Sequence, residues 1–391
     1  MKMSARRRVR RGVGSYIGAA VQLAIGRNPQ LLAMPDRLYL DHAAITPVLP
    51  EAREAIARAL ERPGNPSSPH ADGRGARAAL EEARRTVADA LGWRHDVVFT
   101  SGGSEAIHIA ASRAKVERRI AGPTEHEAVL AAMGADALLL PVDSNGLIDL
   151  PALEAALADG PALVAIQLVN NETGVIQPLD RIGELLRRSG SLLLADCAQA
   201  AGKIALPDAD FIAITSQKFG GAPGAGALLV RDLGTLDASG GQERGYRRGT
   251  ENLPGIIGMA AALASRAFAD AMPRLAALRE HFEQEITASG GLVIAAAAPR
   301  IATIGACAMP GVASASQLVQ LDLAGISVSA GSACASGSMK PSRVLAAMAV
   351  PEEIAATAIR VSFGPSTAEA DIDRFLREWR KIASSANARA A

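Results

Sequence analysis

Leu192-Leu-Leu-Ala-Asp-Cys-Ala-Gln199, followed by Phe211-Ile-Ala-Ile-Thr-Ser-Gln-Lys218, reads as two short buried strands, each with a chemically useful side chain just past its end. Similar apolar runs lie at Val97–Thr100, Leu138–Val142, Leu163–Val169 and Ala227–Val230, and helical-period segments separate them from Leu80 onward. That alternation predicts an α/β domain with a mostly parallel sheet, whose ligands gather where strands end. Asp149–Ala158 is one such helix, with Asp149 as N-cap and Pro151 in its first turn. A glycine-rich stretch, Gly234–Gly249, closes this part, and a long Ala/Leu/Arg helical pattern runs from Leu253 to about Ser289. The domain change is placed there: residues 36–255 form a large domain, its first segment also contributing to a smaller α+β domain of residues 256–391. The small domain is expected to hold strands near Thr303–Met309 and Ile359–Ser362, and a last helix opening at a Ser366-x-x-Glu369 capping box.

With 391 residues the chain exceeds the size at which one core usually stops growing. A net charge of +1 gives no field to attract nucleic acid, so small-molecule chemistry is expected. Cys197, Cys307 and Cys334 form no C-x-x-C pair, which speaks against a zinc ribbon or a disulfide framework and fits a reducing cytoplasm. Residues 1–35 carry Arg6, Arg7, Arg8, Arg10 and Arg11, then a weakly apolar stretch interrupted by Ser15, Tyr16 and Gln22. The stretch is too short to span a bilayer and lacks a convincing cleavage site, so a disordered basic extension is expected. Nothing later resembles a membrane span.

Several residues have functional readings beside ordinary ones. Lys218, between a strand and a glycine-rich turn, can form a Schiff base if its pKa is lowered, or can be a solvated surface lysine. Asp196 can keep a pyridine nitrogen protonated, with Gln199 beside it for a ring oxygen, or can cap a turn. Ser101-Gly-Gly-Ser-Glu105 opens a helical pattern, so Gly103 and Ser104 suit a phosphate or an ordinary serine-capped turn. The stretch matches neither common nucleotide-binding loop. His126 can stack on a ring or move a proton. Arg360, flanked by apolar residues, needs an anion: a substrate carboxylate would serve, and so would an internal Asp or Glu. Cys334 lies in Ser329-Ala-Gly-Ser-Ala-Cys-Ala-Ser-Gly337, a run of small residues that predicts an accessible, mobile loop and a reactive thiol. Cys197 and Cys307, in apolar runs, read as small core hydrophobes.

Together these segments resemble the NifS/IscS-like cysteine desulfurases of the class V aminotransferase group, which are fold-type I pyridoxal-phosphate enzymes. The likeness runs from Tyr39 to the C-terminal helix, through Tyr39-Leu-Asp-His-Ala-Ala-Ile-Thr-Pro47, Asn65-Pro-Ser-Ser-Pro-His70, Phe99-Thr-Ser-Gly-Gly-Ser-Glu105, Thr124-Glu-His126 and Val169-Asn-Asn-Glu-Thr-Gly174. Asp196-x-x-Gln199, Lys218, Gly240-Gly-Gln-Glu-Arg-Gly-Tyr-Arg-Arg-Gly-Thr250, the Cys334 loop and Arg360 follow in order. The resemblance implies a large domain with a mostly parallel seven-stranded sheet flanked by helices, plus the smaller α+β domain. It implies pyridoxal 5'-phosphate held by Lys218, with Asp196 on the pyridine nitrogen, Gln199 and Asn171 at the phenolic oxygen, and His126 stacked on the ring. Gly103, Ser104 and Thr215 would receive the phosphate, with Thr250 reaching in from the partner subunit of a homodimer. Arg360 and Asn171 would bind L-cysteine, and Cys334 would take its sulfur as a persulfide for an acceptor such as an iron–sulfur scaffold.

Two positions depart from the family pattern. Gln217 stands where a histidine usually precedes the lysine; it can hydrogen-bond a phosphate oxygen but cannot be cationic, which predicts weaker cofactor retention. Ile45 stands where a threonine is common, at the rim of the expected substrate pocket. A class V aminotransferase of different activity would need Lys218 and Asp196 but not Cys334, a selenocysteine lyase is the chemically nearer alternative, and a non-catalytic binding protein would have no use for all four of Lys218, Asp196, Arg360 and Cys334.

Overall fold

A computed structural model of the chain describes residues 37–330 and 341–390. The basic extension and Cys334 lie outside the described residues. From Tyr39 onward the chain is one unit, with two sheets of three or more strands.

The six apolar runs become strands β1 (Asp96–Thr100), β3 (Leu138–Leu139), β4 (Ala162–Ala165), β5 (Leu192–Asp196), β6 (Phe211–Thr215) and β7 (Gly226–Val230), and a seventh strand not read from the sequence, β2 (Arg118–Ala121), begins with two arginines that hide it. They form a seven-stranded sheet in the order β1-β7-β6-β5-β4-β2-β3. Pairings from β6 through β3 are parallel, while β7 runs antiparallel to both β6 and β1. The central strands are buried on both faces, which is why β6 and β7 read as unbroken apolar runs rather than alternating ones. Helices Gly103–Arg113 and Glu127–Met133 pack against the sheet through Ile107, Ala110, Ala111, Val129 and Met133.

Three boundaries differ from expectation for local reasons. The run at 138–142 gives only the two-residue edge strand β3, both residues exposed, and Val142 instead bridges to Ile148. The run at 163–169 leaves the sheet after Ala165, so Gln167 and Val169 turn into a cavity. The pattern at 253–289 is two helices, Leu253–Ala264 and Ala267–Ala288, bent by 50°. Arg266 separates them with φ +55°, a left-handed conformation that a right-handed helix cannot continue. Among the described residues no single helix is long and apolar enough to cross a membrane.

The second sheet holds β8 (Leu292–Val293), β9 (Ile304–Ala308) and β10 (Ala358–Ser362), antiparallel in the order β10-β9-β8. Phe282, Phe363, Phe375 and Trp379 pack in a chain of rings beneath it, joining helix Ala267–Ala288 to the last helix, Glu369–Ala390. That last helix starts three residues after Ser366, so Ser366 is not its cap. Asp371 instead accepts the Ala368 N–H at 2.9 Å, giving half of a capping box without the serine. The segment Leu40–Ala43 crosses to this sheet: Leu40 N–H donates to Ser327 O, and Ala43 N–H to Ser362 Oγ.

Candidate active site

A cavity of about 540 Å³ opens where β1, β4, β5 and β6 end, walled on the far side by Asp41–Ala44, Ser329 and Arg360. Lys218 enters it from the one-turn helix Ser216–Lys218 that terminates β6. Its Nζ donates to Ala43 O at 2.8 Å and Ala44 O at 2.7 Å. The backbone there is fixed by Thr46 N–H on Gln217 O and Leu49 N–H on Gly220 O, both 2.8 Å. Position 220 must be glycine: its φ is +90°, and a Cβ would stand 2.4 Å from Leu49 Cγ. Burial, then the nearby Arg360 charge, pull the Lys218 amine down to about 8, against the opposing pull of Asp196 and Asp41.

Asp196 is the last residue of β5 and accepts the Ala198 N–H at 2.9 Å. Burial raises its pKa, opposed by that N–H, His126 and Lys218. Gln199, in the following turn, donates from Nε2 to Ala43 O at 2.8 Å. His126 caps helix Glu127–Met133, its Nδ1 accepting the Ala128 N–H at 3.1 Å, so a neutral ring carries its proton on Nε2. Asn170 and Asn171 divide their work. Asn170 is buried and holds its own turn, accepting from Glu172 N–H and Thr173 N–H and donating to Thr124 O, which leaves Asn171 to line the cavity.

The phosphate-like corner follows β1. Gly103 and Ser104 open helix Gly103–Arg113, whose first-turn N–H groups and dipole favour an anion. Beside them Thr215 Oγ1 donates to Gln217 Oε1 at 2.6 Å, so the Gln217 carbonyl is occupied within the protein. The strands approach closely here: a Cβ at Gly226 would stand 2.7 Å from Gly102 Cα and from Ile214 O.

Arg360, on β10, is 4% exposed. It donates from Nη2 to Asp41 Oδ1 and from Nη1 to Asn171 O, both at 2.8 Å, while Nε has no partner among the described residues. Of the two anions open to it from sequence, an internal Asp is therefore present. Gly103, Ser104, His126, Asn171, Asp196, Gln199, Thr215, Gln217, Lys218 and Arg360 all line the one cavity. Thr250 is exposed and does not line it. Asp41, Glu125 and Gln167 received no role from sequence. Glu125 is wholly buried, accepts the Gln167 N–H at 2.7 Å, and is driven toward its neutral form by that burial. An acid next to His126 and two residues before helix Glu127–Met133 looks like surface in sequence; only the fold shows that it is enclosed.

The aminotransferase class-V pattern matches residues 38–375 of this chain. The chain belongs to that family. A cysteine desulfurase of Cereibacter sphaeroides is 39% identical over 365 residues, 87% of this chain and 94% of that protein, which places the chain among the family's cysteine desulfurases. The crystal structure of a NifS-like protein from Rickettsia africae superposes with TM-score 0.81 at 29% identity, covering 89% of this chain and 99% of that one. A structure of SspA in complex with cysteine has TM-score 0.73 at 26% identity, covering 84% and 99%.

The family's cofactor is pyridoxal phosphate, and the residues present fit it. The donor set is the one such a ring needs: an amine of lowered pKa for its aldehyde, a buried carboxylate for its pyridine nitrogen and a glycine-opened helix N-terminus for its phosphate. Cys197 and Cys307 lie away from the cavity lining. Both are buried and free, and burial holds their thiols well above the ordinary range.

Proposed function

We propose that this enzyme converts L-cysteine to L-alanine and passes the released sulfur, as a persulfide on Cys334, to an acceptor protein. The observation that carries the reading is the convergence of Lys218, Asp196 and Arg360 on one cavity. Pyridoxal phosphate, when bound, supplies an electron sink that lets the substrate Cα release its proton. Asp196 would keep the pyridine nitrogen protonated, and Gln199 and Asn171 would address the ring oxygen. His126 would lie against the ring. Arg360 would hold the substrate carboxylate, its orientation already set by Asp41 and Asn171 O. Lys218 would take the Cα proton and return a proton on the path to alanine. The substrate C–S bond breaks as the Cys334 sulfur forms an S–S bond, and the substrate carbon gains hydrogen, so cysteine plus thiol yields alanine plus persulfide.

We further propose a homodimer, because Thr250 matches the family motif yet is exposed and away from its own cavity; a second copy gives it a site. An iron–sulfur scaffold is the acceptor we favour, and the cytoplasm the compartment, since a persulfide and the free Cys197 and Cys307 suit reducing surroundings. Alanine formation from L-cysteine by purified protein tests the reaction. Wild type is expected to form it and Lys218→Ala to lose it; equal alanine formation by both would reject the assignment.

A further inference from the structure

Lys203 is a buried cation that the reaction does not use. It lies in the turn after Asp196 and is 6% exposed. Its Nζ stands over the Phe268 ring at 5.0 Å and donates to Gln199 Oε1 at 3.5 Å, its one hydrogen-bond acceptor among the described residues. The other end of the same amide, Gln199 Nε2, donates to Ala43 O at 2.8 Å, and Lys218 Nζ donates to that carbonyl too, at 2.8 Å. A chain of contacts therefore runs from Lys203 through Gln199 to the backbone oxygen that also receives Lys218.

We propose that Lys203 is a positioning residue for the cofactor, fixing the Gln199 amide with its oxygen turned away from the cavity and its NH2 turned toward it. The inference rests on the reading of Gln199 as the group that faces the ring's phenolic oxygen. A glutamine amide has a donor end and an acceptor end of nearly equal shape, so its orientation is set by its neighbours. In its charged form the Lys203 amine donates only, and it can then hold nothing but the amide oxygen. A reversed amide would set its oxygen against Ala43 O and its NH2 against the Lys203 ammonium, two repulsive contacts. It would also offer an acceptor to the phenolic oxygen where a donor is wanted. Burial brings the Lys203 amine down to about 7, with the Lys218 charge adding to the effect. The other titratable neighbour, His42, is held neutral by burial, with Lys203 adding to it, its pKa pulled down to about 4. Burial of this kind is tolerated where the group has a task.

The test is equilibrium binding of pyridoxal phosphate to the full chain, with the visible absorption of the bound cofactor followed against pH. Lys203→Met keeps the length and removes the donor; Lys203→Arg restores a donor-only cation. A donor on the phenolic oxygen weakens that oxygen's hold on a neighbouring proton, so losing it moves the absorption midpoint to higher pH. Lys203→Met is expected to weaken cofactor binding about 3- to 10-fold and raise the midpoint. Lys203→Arg is expected to recover both, and on a Gln199→Ala background Lys203→Met should add nothing. Wild-type affinity and midpoint in Lys203→Met, or an undiminished effect in the Gln199→Ala background, would overturn the proposal. If Lys203→Met fails to fold, judged by thermal unfolding of the apoprotein, Lys203→Gln takes its place. Failure of wild type to bind the cofactor at all would instead sink the reading of Gln199, and this inference with it.

Discussion

Lys218 sets the first expectation at the residue scale. Only the neutral amine attacks an aldehyde, and burial brings this amine down to about 8 from the ordinary 10.5. The rate of covalent capture of added pyridoxal phosphate by the apoprotein should therefore rise as pH passes through 8 and level off above it. A rate still climbing toward pH 10.5 would show that the amine is solvated. Gln217 sets the second. Its carbonyl is tied to Thr215 Oγ1, so it offers an anion a neutral NH2 in place of the charge a histidine could carry. Gln217→His is expected to tighten cofactor binding by about 2- to 10-fold, the scale of one charge-assisted hydrogen bond, read by dialysis against decreasing cofactor. Unchanged retention would remove Gln217 from the phosphate's neighbourhood. Most of the site was legible at this scale because its residues combine a rare chemical type with a strand end: Asp196, Lys218 and the Ser101–Glu105 turn each announce themselves that way. Asp41, Glu125 and Lys203 did not, since an acid or a lysine in a loop reads as solvated until long-range packing shows it enclosed.

At the scale of elements, the glycine-rich segment that follows β7 is anchored by a buried ion pair, besides the more exposed pairs of Arg244 with Asp96 and Arg247 with Glu105. Glu243 is buried and takes both Arg84 nitrogens, Nη1 at 2.6 Å and Nη2 at 3.0 Å, together with the Phe99 N–H at 2.8 Å. Arg84 lies over the Phe99 ring at 4.7 Å, so helix Ala71–Leu91, β1 and the loop share a single clamp. Glu243→Ala would leave a largely enclosed guanidinium with Glu81 as its remaining carboxylate, and should cost about 3–5 kcal/mol in urea unfolding. Stability within ~1 kcal/mol of wild type would mean that water replaces the carboxylate. Strands were the readily legible elements, because a run buried on both faces must be apolar throughout. Helix ends were less so: the break at Arg266 falls in a sequence rich in good helix formers, and Ser366 gave a capping signal that Asp371 fulfils from the other direction.

At the scale of the molecule, the cavity is built from pieces distant in sequence: the turns after β1, β2, β4, β5 and β6, the Asp41–Ala44 crossing and Arg360 from the second sheet. Among the described residues, Thr250 is the one predicted site residue that does not line the cavity. If it serves a second copy, Lys218→Ala and Thr250→Ala chains, each impaired alone, should regain activity when refolded together, because one site of each mixed dimer is intact. No gain on mixing, with both chains dimeric in sedimentation, would mean that Thr250 does not serve a second copy's site. The alternation of strands and helices and the mostly parallel sheet were readable in advance; the strand order and which copy completes which site were not, since a sequence carries no direct record of which strands lie side by side or of what lies across an interface.

The central claim is that sulfur leaves L-cysteine and arrives on Cys334. The direct measurement is mass spectrometry of the peptide containing Cys334 after the holoenzyme has met L-cysteine without reductant and its thiols have been alkylated. The account predicts one added sulfur on Cys334, none on Cys197 or Cys307, and none anywhere in Lys218→Ala. An unmodified Cys334 beside undiminished sulfide and alanine release, or full activity in Cys334→Ala, would contradict it.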